Sequence, residues 1–269
     1  MPQLKRFVAV FLHLIQEWRA CARLCADLQS ALQLGLDFAL SRFLFWSPEN
    51  RVGRFREVRL HGGVQLCYRL NKGDLHSIRE VWFDEAYRLP FDDPSGTLLD
   101  LGANIGLTSV WLAKKYPIER VIAVEPDRSN AILARRNLDL NAIKSEVLEA
   151  AIGPHEGTVG FEFSQVSNLG RVSEKGLPVA MMTVDAILEK SVCPEFALVK
   201  IDIEGGEQQL FDGPIGWLDH TDAIIIEFHP TLVDHPKIIK AVAGHGFTYI
   251  RSNSVFPNNM DCFKRTSHS

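Results

Sequence analysis

Three groups of residues have types and spacings that could do chemistry. The first is Asp100-Leu101-Gly102-Ala103-Asn104-Ile105-Gly106. Gly102 and Gly106 allow a tight turn and a close backbone approach at the start of a helix, as a nucleotide-binding loop requires. The string is not the three-glycine dinucleotide fingerprint, because Asn104 stands in place of the second glycine. Asp100 immediately precedes the loop, where a carboxylate is awkward beside a pyrophosphate but useful beside an amino group. The second group is Val124-Glu125-Pro126, with Glu125 nineteen residues past Gly106 at the end of an apolar run. An acid at that strand end can accept both hydroxyls of a ribose. A cofactor with a ribose and an ammonium but no phosphate suits both acids, and S-adenosyl-L-methionine is such a cofactor.

The third group is Lys200-Ile201-Asp202-Ile203-Glu204-Gly205, with a charge at every second residue of a strand that should be buried in a parallel sheet. Strand periodicity sets Lys200, Asp202 and Glu204 on one side. Buried charges are costly unless paired or used, so the triplet reads either as a functional cluster or as an internal bridge that ends the strand. Glu227-Phe228-His229-Pro230 repeats the pattern at the end of the next strand. His229 reads as a general base for a hydroxyl acceptor, with Asp202, Glu204 and Glu227 as further candidates. Competing readings make Glu227 and His229, with Asp202, ligands of a divalent metal, or make the two a hydrogen-bonded core pair. Ser164 to Arg171 reads as a polar loop that could close over the acceptor.

These groups need a scaffold, and the chain alternates strand and helix from Thr97 to its end. Strands are expected at 97–101, 120–124, 147–152, 159–163, 196–203, 223–228 and 247–251. Helices are expected at 106–116, 128–141, 207–211 and 237–243. Such alternation predicts a doubly wound, largely parallel α/β sheet, with the ligand beyond the carboxyl ends of the strands near the switch point. Ahead of this core, Arg56 to Leu60 and Val64 to Leu70 read as a hairpin around His61-Gly62-Gly63. Asp74 reads as the N-cap of a helix running through Ile78, Val81, Trp82 and Ala86. Ser47 to Asn50 is a turn that closes the N-terminal region. Three regions result: an N-terminal helical extension over 1–50, a hairpin and helix over 51–96, and the cofactor-binding domain over 97–269.

The motifs together resemble the FkbM family of S-adenosylmethionine-dependent methyltransferases. The resemblance rests on Leu99 to Gly106, Val124-Glu125-Pro126, Asn137 with Asn141, Ala151-Ile152-Gly153, Thr183-Val184-Asp185, Lys200 to Gly205 with Glu207 and Gly213, and Glu227 to Pro230. Arg69 and Asp74 match more loosely, and the first 50 residues match no part of the pattern. The resemblance implies a class I, Rossmann-like methyltransferase sheet of seven strands, the last antiparallel. It also implies O-methylation of a hydroxyl on a sugar or small natural product, so the partner is a small-molecule or glycan acceptor. Carried over by position, Asp100 and Gly102 meet the methionine part, with Ala103, Asn104 and Gly106 completing the loop. Glu125, beside Pro126, meets the ribose, and the backbone of Ala150 or Ala151 meets the adenine edge. Glu149 and Asn130 add to the adenosine pocket, and Asp202 borders the transferred methyl. A nicotinamide-dependent dehydrogenase shares the alternation and the strand-end acid but lacks the fingerprint. A catalytically silent adenosylmethionine-binding scaffold would keep both loop and acid.

Composition agrees with this class. Of 269 residues, 46% are apolar and 23% charged, and 29 Lys plus Arg against 33 Asp plus Glu give a formal charge of -4, with no basic run to follow a phosphate backbone. Nucleic acid is therefore not an expected partner. The five cysteines, Cys21, Cys25, Cys67, Cys193 and Cys262, form no C-x-x-C pair and fit buried thiols in a reducing, cytoplasmic setting. Lys5-Arg6 followed by Phe7 to Ile15 superficially resembles a secretion signal. His13 interrupts that run, and it is far shorter than the ~20 residues that span a bilayer. Leu14, Trp18, Cys21, Cys25, Leu28, Leu32 and Leu36 recur at three and four residues and predict amphipathic helices up to about Trp46. Their apolar face is expected to pack on the rest of the protein, on a second copy, or on a membrane surface.

Overall fold

The computed structural model describes residues 15–43, 55–162, 171–172, 176–191, 195–228, 233–251 and 260–266. His229, Pro230, Cys193, Leu14, Ser47 to Asn50, and the loop from Ser164 to Gly170 lie outside the described residues.

Two helices come first, α1 over 15–24 and α2 (Leu28–Phe43), followed by the antiparallel hairpin β1 (Phe55–Arg59) and β2 (Gln65–Arg69) and the helix α3 (Lys72–Ile78). Asn71, not Asp74, caps α3, accepting a 2.7 Å hydrogen bond from the Asp74 amide. Asp74 is instead buried and grips Arg69 with both carboxylate oxygens, at 2.8 and 2.9 Å. The core then runs β3 (Gly96–Leu101), α4 (Leu107–Lys115), β4 (Ile118–Val124), α5 (Arg128–Leu140) and β5 (Ser145–Leu148). An inserted group of short strands follows: β6 (Ala151–Ile152), β7 (Gly157–Glu162), β8 (Arg171–Val172) and β9 (Leu177–Met182). After α6 (Val184–Lys190) come β10 (Leu198–Ile201), α7 (Glu207–Asp212), β11 (Ala223–Glu227), α8 (His235–Gly244), β12 (Phe247–Arg251) and β13 (Met260–Arg265).

The main sheet has seven strands in the order β12-β13-β11-β10-β3-β4-β5. β13 pairs antiparallel with β11 and β12, and the pairs from β11 to β5 are all parallel. This is the expected doubly wound sheet with an antiparallel last strand. The chain leaves β3 toward β4 and β5, then returns to the other side of β3 as β10 and β11. The switch point therefore lies between β3 and β10, and the crevice opens at their carboxyl ends.

Two expectations differ in detail. The single strand expected over 147–152 is two, because the chain leaves the main sheet after Leu148 and Ala151–Ile152 pairs instead with Met181–Met182 in the four-stranded sheet. The break falls at Glu149, which pairs with Arg135, and the apolar residues on either side of it read as one run. The strand expected over 196–203 ends at Ile201, and Glu204 adopts φ 52° in the turn that follows. The alternation that set Glu204 beside Lys200 therefore stops short of it.

Side chains alternate across the sheet into two buried layers. Leu98, Val121, Ala123 and Ile225 face α3, α4 and the hairpin, while Leu99, Leu101, Ile122, Val199, Ile201 and Ile224 face α6, α7, α8 and the buried Trp217. Each such apolar side chain contributes about 1.5–3 kcal/mol on burial. The N-terminal helices join the first layer: Cys21 of α1, Cys25 just after it, and Ala31, Leu34 and Phe38 of α2 pack with Val58, Leu66, Tyr68 and Val81. Leu28, Leu32 and Leu36, expected on the same face as the cysteines, point outward with Leu40, at 43–74% exposure. A break at 25–27, where Ala26 donates to Arg59 O, rotates α2 relative to α1 and exchanges the faces. Among the described residues no helix is long and apolar enough to cross a membrane.

Candidate functional site

The loop after β3 is built by close approach. Gly102 and Gly106 have φ 77° and 78°, and a Cβ on Gly102 would stand 1.8 Å from the carbonyl oxygen of Asp202. Only glycine lets the β3 loop lie against the end of β10. A Cβ on Gly106 would meet Ala134 Cα of α5 at 2.9 Å, so this glycine serves helix packing and does not line the cavity. Between them Asn104 takes φ 49°, and its amide donates a 2.8 Å hydrogen bond to Glu125 Oε2. Asp127 donates its amide to Glu125 Oε1 at 2.9 Å, and its own carboxylate caps α5. The acid at the β4 end is thus oriented by two backbone donors. Asn130 Oδ1 accepts a 2.7 Å hydrogen bond from the Arg69 guanidinium, which turns its amide nitrogen toward Glu125. Burial pushes the Glu125 carboxyl up to about 7, with the hydrogen bonds from Asp127, Asn104 and Asn130 acting against that rise.

The charged residues on β3 and β10 are neighbours in register, Lys200 beside Asp100. Lys200 is 1% exposed, and its Nζ donates to Gly102 O at 2.7 Å and lies 3.0 Å from Asp100 Oδ1 and 3.6 Å from Asp202 Oδ2. Burial disfavours the ammonium, but the carboxylates of Asp100 and Asp202 outweigh it and raise its pKa above the ordinary lysine value. Asp100 takes a second hydrogen bond from Ser109 Oγ at 2.6 Å and is fully buried beneath the loop, away from the cavity wall. Asp202 is partly exposed in the cavity and accepts from the Tyr87 hydroxyl at 3.1 Å. Tyr87 is buried, and burial together with Asp202 and Glu80 holds its hydroxyl protonated, well above the ordinary tyrosine range.

These residues surround a cavity of about 340 Å³ at the carboxyl ends of β3, β4, β10 and β11. Of the residues singled out from sequence, Gly102, Ala103, Asn104, Glu125, Pro126 and Asn130 line one part of it with Ala150 and Ala151. Asp202, Glu204 and Glu227 line another. Glu149 does not line it and pairs with Arg135 at 2.7 Å. No group of three or more His, Cys, Asp or Glu side chains is arranged to hold a metal among the described residues. The sequence reading missed Ser77, Glu80 and Tyr87, which follow the hairpin and close the cavity, and Phe161 from the inserted strands. Their types carry no local signature: the packing of 72–89 over the switch point brings in the first three, and the inserted strands bring in Phe161.

The donor set fits S-adenosylmethionine. Glu125 offers an oriented carboxylate for ribose hydroxyls, and Ala150, Ala151, Ile152 and Phe161 offer an apolar slot for a purine. Asn104 Oδ1 is buried at the cavity with no hydrogen-bond partner among the described residues, an acceptor ready for a ligand donor.

Comparison with known proteins places the chain in a family. A family model described as the methyltransferase FkbM domain matches residues 100–249. AMB antimetabolite synthetase AmbE of Pseudomonas aeruginosa is 32% identical over 111 residues, which are 39% of this chain and 5% of that protein. Hexuronic acid methyltransferase AglP of Haloferax volcanii is 25% identical over 167 residues, 58% of this chain and 69% of that protein. A crystal structure of methyltransferase FkbM from Methylobacillus flagellatus KT is 18% identical, with 95% of this chain and 60% of that one covered and a TM-score of 0.49. The chain thus spans a twentieth of AmbE and three fifths of that solved structure.

Proposed function

The chain belongs to the FkbM methyltransferase family, and on that premise we propose that it uses S-adenosylmethionine to methylate a hydroxyl oxygen of a sugar or other small natural product. The observation that carries this reading is Glu125, a buried carboxylate fixed by two backbone donors in the wall of the cavity at the switch point. A sugar-type acceptor is favoured by the likeness to a relative named for hexuronic acid.

When bound, S-adenosylmethionine supplies an electrophilic methyl group on a positively charged sulfur. Glu125 would accept hydrogen bonds from the ribose hydroxyls, and the backbone of Ala150 or Ala151 would meet the adenine edge. Lys200 holds the Gly102 carbonyl and the Asp202 carboxylate in fixed positions, so the loop and the β10 end form one rigid wall. Asp202, tied further by Tyr87, faces the region where charge changes during transfer. The acceptor enters beside Glu204 and Glu227. Holding its oxygen in line with the methyl is the protein's main contribution, since orientation alone supplies about 7–11 kcal/mol of such a barrier.

The direct experiment is incubation with methyl-labelled S-adenosylmethionine and a panel of hexoses, hexosides and small polyols, followed by mass spectrometry. A product heavier by one labelled methyl, formed with S-adenosylhomocysteine, is the expected result. Cofactor binding without transfer to any member of a broad panel would favour a silent binding protein.

A further inference from the structure

The helix α3 does not simply end at Ile78 but widens into a π-helical turn over Arg79–Phe83, closed by Asp84 N donating to Arg79 O at 2.9 Å. Such turns are rare and cluster at functional sites, because the extra residue per turn re-aims side chains. Here it sends two neighbours in opposite directions. Arg79 points to the N-terminal helices, where it pairs with the buried Glu17 of α1 and lies 5.3 Å over the ring of Phe38 in α2. Glu80 points into the cavity, on the wall that also carries Asp202 and Tyr87.

The carboxylates at this wall are not equivalent. Asp202 Oδ2 is engaged by the Tyr87 hydroxyl and faces the Lys200 ammonium. Glu80 faces Asp202, Glu204 and Asp84 as like charges, with Lys200 the opposing cation. His76, one turn back on α3 and largely exposed, stands 3.9 Å away. Burial and the Asp202 carboxylate push the Glu80 carboxyl up to about 7, the range of a working general base.

We infer that Glu80 is the proton acceptor for the hydroxyl that is methylated, and that the N-terminal helices hold it at the cavity through Arg79. This rests on the methyltransferase reading above. The acceptor oxygen bonds to the methyl carbon as the carbon–sulfur bond breaks, and that electron pair stays on sulfur. The hydroxyl proton passes to a Glu80 oxygen and leaves to water past His76. The N-terminal helices thereby gain a role in the reaction, with Arg79 as a positioning residue.

Glu80→Gln keeps the shape and removes the base. Using methyl-labelled S-adenosylmethionine and the methyl hexoside that gives most product, kcat should fall 10²- to 10³-fold, with cofactor affinity by calorimetry within threefold of wild type. The rise of kcat with pH near 7 should vanish. In protein labelled with carbon-13 at the glutamate carboxyl, the resonance missing from Glu80→Gln should titrate near 7 in wild type. Glu17→Gln, which loosens Arg79, should lower kcat at least fivefold and move that midpoint down. A Glu80→Gln rate within threefold of wild type, or a Glu80 midpoint below 5, overturns the inference while the methyltransferase reading stands. Unchanged kcat in Glu17→Gln overturns the role of the N-terminal helices. No transfer by wild type to any acceptor overturns both the inference and the reading beneath it.

Discussion

Replacing Lys200 by Met keeps length and apolar bulk and removes the buried charge that ties Asp100, Asp202 and the Gly102 carbonyl together beneath the cofactor loop. Lys200 and Asp100 are 1% and 0% exposed and 3.0 Å apart, and the ammonium also holds Gly102 O at 2.7 Å. Without it, Asp100 keeps, among the described residues, the hydrogen bond from Ser109. Breaking one side of such a buried pair costs about 3–5 kcal/mol, because the remaining charge is left uncompensated. An unfolding entropy of ~2.1 cal/mol/K per residue gives a chain of this length roughly 0.56 kcal/mol/K, so the melting temperature should fall by about 5–9 °C. The double variant Asp100→Asn with Lys200→Met removes both charges and should recover at least about 1.5 kcal/mol of the loss. Urea unfolding followed by tryptophan fluorescence, alongside calorimetric melting, measures both. A Lys200→Met cost below about 1 kcal/mol, or a double variant weaker than the single, would refute the buried-pair reasoning.

Cofactor affinity should depend on pH through Glu125. Its carboxyl, raised to about 7 by burial, must be ionised to accept two ribose hydroxyls, so affinity should be about tenfold tighter at pH 8 than at pH 6, with proton release on binding near pH 6. In the free protein the sign is reversed. The folded state binds more protons than the unfolded one between about 4.5 and 7, so this group's contribution to stability falls as pH rises through that window. Titration calorimetry in two buffers reads affinity and proton release together, and a flat profile would remove Glu125 from the binding step. Gly102→Ala puts a Cβ 1.8 Å from the Asp202 carbonyl in a left-handed backbone and should cost about 1–3 kcal/mol or more while abolishing cofactor binding; full affinity would contradict the close approach.

The glycine loop and Glu125 were legible because their residue types announce them: glycines where a turn must be tight, and an acid at the end of an apolar run. Strand period paired Lys200 with Asp202 correctly, but its nearer partner was not legible. Sequence set Lys200 beside Asp202 and Glu204 by strand period, whereas its nearest carboxylate, Asp100, lies a hundred residues earlier and becomes a neighbour only through the β3–β10 register. β13 escaped notice because Met260 to Phe263 are buried without a break, so no alternation marks the strand. The outward turn of α2 depends on the break at 25–27, which no apolar spacing encodes. Glu80 was hidden for a related reason: within a helical reading it is one more polar position, and only the widened turn aims it at the cavity.

In the proposed mechanism Glu125 holds the ribose of S-adenosylmethionine at the switch point of the sheet. Isothermal titration of the wild-type protein and of Glu125→Ala with S-adenosylmethionine at pH 8 tests it directly. One site per chain is expected, with the variant weaker by about 1.5–3 kcal/mol, roughly 10- to 150-fold in affinity. Equal affinity in the two proteins would contradict the placement of the ribose, and no binding by the wild type would contradict the account as a whole.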